Sequence, residues 1–117
     1  MRDMFVLYIN EQKSYIQIQI ANTFWLRLKG LMGRKELNSG KGLALIPCKQ
    51  VHTFFMKFAV DIIFLDRCGR VLRIVQGLGP SQISLLVRDS FQVLELAEGT
   101  AQNLNIKEGD VIQIKDS

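Results

Sequence analysis

Hydrophobic and polar positions alternate most cleanly from Tyr15 to Ile20. Ile16, Ile18 and Ile20 fall on one side and Tyr15, Gln17 and Gln19 on the other, the period-two pattern of a half-buried strand. A shorter apolar run, Phe5 to Ile9, precedes it, and the polar stretch Asn10 to Ser14 joins the two as a hairpin. The period then changes. Phe24, Leu28 and Leu31 recur at helical spacing behind Asn22 or Thr23, either of which can cap a helix start, and Gly30 and Gly33 end it. After the loop Asn38 to Gly42, Leu43 to Ile46 is a short strand stopped by Pro47.

The run from Val51 to Asp66 is the most apolar in the chain. Its β-branched and aromatic content favours strand. It is too long for one ordinary strand, so it is divided near Lys57-Phe58-Ala59 into two strands of a hairpin. Alternation in the first would send Phe54, Met56 and Phe58 to one face. Asp66 to Gly69 is a turn, and Arg70 to Val75 returns as a strand. Phe91 to Leu96 and Val111 to Lys115 are two more, separated by a helical turn that Thr100 would cap. The pattern of residues 82–89 predicts no element. The whole reads as a mainly β chain, a β-sandwich or distorted barrel of about seven or eight short strands with one or two short helices.

At 117 residues the chain is of the size expected for a single domain, 1–117. Hydrophobic residues make up 48% and charged residues 22%, a balance that argues against disorder. No apolar run reaches the length that spans a bilayer, and the apolar stretch near Met1 is too short for a signal-peptide core. A cytoplasmic location is therefore expected. Cys48 and Cys68 do not form a Cys-x-x-Cys pair and are expected to be reduced, mostly buried thiols. The net charge is +4 and unevenly spread. Arg27 to Lys49 holds six basic residues against one acid, so this segment favours anions.

Several further motifs follow one another along the chain. Arg27-Leu28-Lys29-Gly30-Leu31-Met32-Gly33-Arg34 is followed by His52 to Lys57 and Asp61 to Asp66, then by Val93 to Leu96, Gly99 and Gly109-Asp110. Their order and spacing resemble the prokaryotic domain of unknown function 192 family over roughly residues 16–114. The resemblance implies a compact β-rich fold of the sandwich type with a small helical element, and it implies no established activity. Ala59 stands where relatives often carry proline, and the secretion leader of many relatives has no counterpart in this sequence.

The candidate chemistry gathers around the only histidine, His52, and around Asp61, a carboxylate among apolar strand positions. Cys48, His52 and Met56 are soft or borderline metal ligands, but four residues of extended strand span about 13 Å, too far to share one ion. No metal and no cofactor are expected. His52 and Asp61 as acid and base would share a face of the expected hairpin yet sit far apart along it, with no nucleophile placed beside them. The lone carboxylate is instead expected to pair with Arg27 or Arg34, because an unpaired buried charge is costly. The favoured reading is a binding module. Its pocket would use His52, Thr53, Phe54, Met56 and Asp61 with Arg27 and Arg34, and would accept an anionic small molecule or an acidic peptide. An enzyme using His52 and Asp61, or a scaffold without a pocket, are the alternatives. Nucleic acid is not an expected partner, because the basic residues are not interleaved with stacking aromatics.

Overall fold

The computed structural model describes residues 2–116, with side chains described from residue 5 onward. Among them are seven strands and two short helices: β1 (Arg2–Ile9), β2 (Gln12–Ala21), α1 (Phe24–Lys29), β3 (Lys41–Leu45), β4 (Val60–Leu65), β5 (Val71–Leu78), β6 (Gln92–Ala97), α2 (Thr100–Asn103) and β7 (Ile112–Asp116). The strands form one sheet in the order β5-β4-β6-β3-β2-β1-β7. Every pairing is antiparallel except β2 with β3, which run parallel.

The predicted hairpin at the start is present. Asn10 and Glu11 both have positive φ, 49° and 70°, the geometry of a tight two-residue hairpin turn. The sheet then curls until its two edges meet. An antiparallel bridge joins Arg70 to Val111, just ahead of β5 and β7. Val71 N–H donates to the Asp110 carbonyl at 2.8 Å, and Ile112 N–H donates to the Gly69 carbonyl at 2.8 Å. Only glycine fits at this seam. Gly69 has φ +84°, and a Cβ there would lie 2.2 Å from the Ile112 carbonyl oxygen. The result is a mainly β fold with a distorted, barrel-like sheet, one of the two forms expected from the sequence.

Two apolar clusters follow from this curvature. The inner one includes Leu7, Ile16, Ile18, Ile63, Leu65, Leu94 and Leu96. The outer one includes Leu31, Leu43, Val51, Met56, Ile62, Phe64 and Val93. β4 is buried along its whole length and β6 along nearly all of it, so these central strands read as continuous apolar runs rather than alternating ones.

The first half of the expected central hairpin is absent. Residues 51–59 form an irregular segment, with His52 making one isolated bridge to Ile83. Its long-range backbone bonds run to residues 81–84 and to Gly33 rather than to β4. Thr53 N–H donates to the Gln82 carbonyl at 2.8 Å, and Ser84 N–H donates to the Val51 carbonyl at 2.9 Å. A turn closes from Met56 N–H to the Thr53 carbonyl, and Phe55 adopts φ 65°. Phe54, Met56 and Phe58 therefore do not share a face: Met56 is buried, Phe58 half-buried and Phe54 exposed. Cys68 is exposed, contrary to the expectation of two buried thiols, while Cys48 is half-buried.

Candidate functional site

α1 begins where Thr23 accepts a hydrogen bond from Leu26 N–H at 3.2 Å, as its cap position predicts. None of the six residues of this helix is fully buried, so it lies as a flap over the outer face of the sheet. Between this helix, residues 47–56 and the sheet lies a cavity of about 500 Å³. Its walls include Phe24, Leu28, Leu31, Leu45, Val51 and Met56. Arg27, Lys29 and Lys49 supply positive charge around it, and Cys48 and His52 also face it.

The sequence-predicted residues divide between this cavity and other places. Arg27, His52 and Met56 line it. Arg27 is anchored by donating to the Thr23 carbonyl at 3.3 Å and the Pro47 carbonyl at 3.1 Å, which ties the helix to the segment opposite. His52 accepts from Phe54 N–H at Nδ1, 3.2 Å, and its ring stacks on Phe54 with centroids 5.1 Å apart. Thr53 is buried and acts as a local tie: its hydroxyl donates to the Gly79 carbonyl at 2.6 Å and accepts from Gln82 N–H at 2.9 Å. Arg34 donates to Gln19 Oε1 at 3.2 Å and lines a separate cavity of about 220 Å³.

Asp61 is not where the pocket reading requires it, and its partners are not arginines. It alternates with Ile63 and Leu65, which belong to the inner cluster, and it does not line the cavity. Gly77 N–H donates to Oδ1 at 2.9 Å, and Ala101 N–H donates to Oδ2 at 3.0 Å. The second bond caps α2, whose preceding residue is Gly99 and whose start receives no bond from a local side chain. Backbone N–H groups satisfy a buried carboxylate through charge-assisted hydrogen bonds, so no guanidinium is needed at Asp61. His52 and Asp61 are thus not brought together as acid and base.

The carboxylate that does reach the cavity is Glu95 on β6. It lies opposite Leu43 and Ile62, both members of the outer cluster, and is only 2% exposed. Oε1 is buried and has no hydrogen-bond partner. Burial raises its pKa from 4.5 to about 8, against the smaller opposing pull of Arg34. Glu95 is therefore mainly protonated near neutrality. The Cys48 thiol is also pushed up, chiefly by burial, and donates to the Gln50 carbonyl at 3.2 Å. Glu95 carries the same sequence signal as Asp61, an acid inside the apolar run Val93-Leu94-Glu95-Leu96, and that signal was available to find it.

The loop after Pro47 brings Cys48, His52 and Met56 to one cavity, so the extended spacing that separated them in the sequence reading does not apply. Among the described residues, no group of three His, Cys, Asp or Glu side chains is placed to hold a metal ion. No helix of the described residues is long and apolar enough to cross a membrane.

The DUF192 family profile, described as Uncharacterized ACR, matches residues 6–114. The chain belongs to the DUF192 family. Relatives include a UPF0127 protein of Thermococcus sibiricus, 27% identical over 91% of this chain and 73% of its own length. A UPF0127 protein of Thermococcus gammatolerans is 28% identical with the same coverage. Among solved structures, a protein of unknown function from Novosphingobium aromaticivorans superposes with TM-score 0.81 at 26% identity, covering 95% of this chain and 83% of that one. A Sinorhizobium meliloti protein, provisionally described as a transcription regulator, has TM-score 0.84 at 19% identity, covering 94% of this chain and 92% of that one. At that identity the likeness is one of fold alone. The family description assigns no activity, and a reading of function rests on the site itself.

Proposed function

We propose that this DUF192 protein is a binding module whose cavity beside Arg27 and His52 accepts an anionic small molecule or an acidic peptide with an apolar body. The observation that carries the reading is the cavity of about 500 Å³, with aliphatic and aromatic walls and Arg27, Lys29 and Lys49 around it. This is the usual composition of a small-molecule site, mostly apolar with a few placed polar groups. Large apolar side chains stand exposed next to it: Phe24 and Leu28 on the helix, with Trp25 73% exposed, and Phe54 and Phe55 on the facing segment. A ligand with an apolar body would cover part of that surface, while its anionic end meets the basic side chains. The Lys49 ammonium is held by the Arg88 carbonyl, and Arg27 by two carbonyls, so two of these charges are already fixed in place.

A thermal-shift screen of anionic and neutral metabolites, each at low and high salt, tests the reading. Apolar anions should raise the melting temperature, by the equivalent of about 2.7 kcal/mol at a hundredfold excess over Kd. The gain should shrink with salt and in Arg27→Ala. A screen in which anions and neutral compounds stabilise equally, or none does, would overturn it.

A further inference from the structure

Glu95 leaves the cavity with a requirement that its walls do not meet. The side chain projects from the middle of the sheet, between β3 and β4, where its cross-strand neighbours Leu43 and Ile62 offer no polar atom. Above it sits Gly30, at the end of α1. A Cβ built there would lie 3.5 Å from Oε1, so the Gly30 backbone packs close to that oxygen and, as glycine, offers it no side-chain partner. An oxygen that is buried, unpartnered and on the wall of a cavity is a group in need of a partner from outside the chain.

The charged and titratable groups around it decide which partner suits. Arg34 acts on Glu95 from the segment after α1. Arg27 and Lys29 come from α1, and Cys48, Lys49 and His52 come from the segment opposite. All the fixed charge is positive, which disfavours a cationic ligand. With its proton retained near neutrality, Glu95 is a hydrogen-bond donor. A donor inside and cations around the cavity together describe a two-ended ligand.

Resting on the binding reading above, we infer that Glu95 is the specificity-determining group of the cavity, and that the ligand is an apolar anion carrying a neutral acceptor, such as a ketone or amide carbonyl, at the end remote from its charge. The Glu95 carboxyl donates to that carbonyl, the apolar body fills the space under α1, and the anionic end lies against Arg27, Lys29 and Lys49. Ionisation of Glu95 removes the donor and places a negative charge against the carbonyl oxygen. Recognition of the carbonyl therefore falls as pH rises past about 8.

The test uses straight-chain alkanoates from hexanoate to dodecanoate, each beside its counterpart with a ketone at the penultimate carbon. Affinities are measured by calorimetry at about pH 6 and about pH 9.5, on either side of the Glu95 titration. At the lower pH the keto compound of the best length should bind on the order of tenfold tighter than its parent, the yield of one added hydrogen bond. The preference should vanish at the higher pH. In Glu95→Gln the preference should no longer vary with pH, and in Glu95→Leu it should be lost at both. If both compounds bind equally at both pH values, the role of Glu95 is wrong while the binding reading stands. If no alkanoate of either kind binds, the binding reading falls and this inference with it.

Discussion

Replacing Glu95 by glutamine should change how the stability of this protein depends on pH. Glu95 keeps its proton in the folded state up to about pH 8, whereas in the unfolded chain it loses it near 4.5. Between those values the folded state holds a proton that the unfolded state releases. Stability attributable to this residue is therefore highest below 4.5, falls as pH rises, and levels off above 8. The slope is about 1.4 kcal/mol per pH unit, which accumulates to roughly 4 kcal/mol between about pH 5 and pH 8. Glutamine has the same shape and no proton to lose, so Glu95→Gln should be missing this fall. Urea denaturation across that pH range measures it. With a slope of about 1–3 kcal/mol per molar urea, the midpoint of the parent should drop relative to the variant by roughly 2 M. Any constant offset caused by the amide cancels, because only the change with pH is compared. Midpoints that stay a fixed distance apart from pH 5 to pH 8 would refute the reasoning.

Three other outcomes follow from the same geometry. Asp61→Asn puts an NH₂ group against one of the two N–H donors, of Gly77 or Ala101, and should cost about 1–3 kcal/mol, or roughly 5–10 °C in Tm; a variant that melts with the parent would remove Asp61 from the structural account. Gly69→Ala must accommodate a Cβ 2.2 Å from the Ile112 carbonyl at φ +84°, and should lower stability by more than about 2 kcal/mol in the same urea assay; no change would mean that the seam between β5 and β7 is loose. Alkylation at neutral pH followed by mass spectrometry should modify the exposed Cys68 well before Cys48, whose thiol is held protonated by burial; the reverse order would contradict the packing around Cys48.

The elements legible in the sequence were those whose signal is local. The alternation of Ile16 and Ile18 against Gln17 and Gln19 gave β2, and Thr23 marked the start of α1. The run from Val51 to Phe58 is irregular despite its strand-like composition, because its conformation depends on distant partners. Its long-range backbone bonds go to Gly33 and to residues 81–84, a segment that itself carries no periodicity, and Thr53 is tied to Gly79 and Gln82. Asp61 was rightly singled out as a buried carboxylate, but its partners are main-chain amides, which no residue pattern can announce. Glu95 lies between Leu94 and Leu96, and its apolar neighbours mark it in the sequence as clearly as those of Asp61. Which of two buried acids is satisfied is a property of the fold: α2 brings Ala101 to Asp61, while Gly30 brings Glu95 no partner at all.

Selection of a ligand in this cavity depends most on the protonation of one side chain, and carboxyl-carbon NMR of glutamate-labelled protein, with Glu95→Gln used to assign the resonance, measures it directly. The Glu95 carboxyl should titrate at about pH 8. A midpoint in the ordinary glutamate range, about 4–5, would mean that this carboxylate is solvated or paired, and that the cavity has no buried donor to offer.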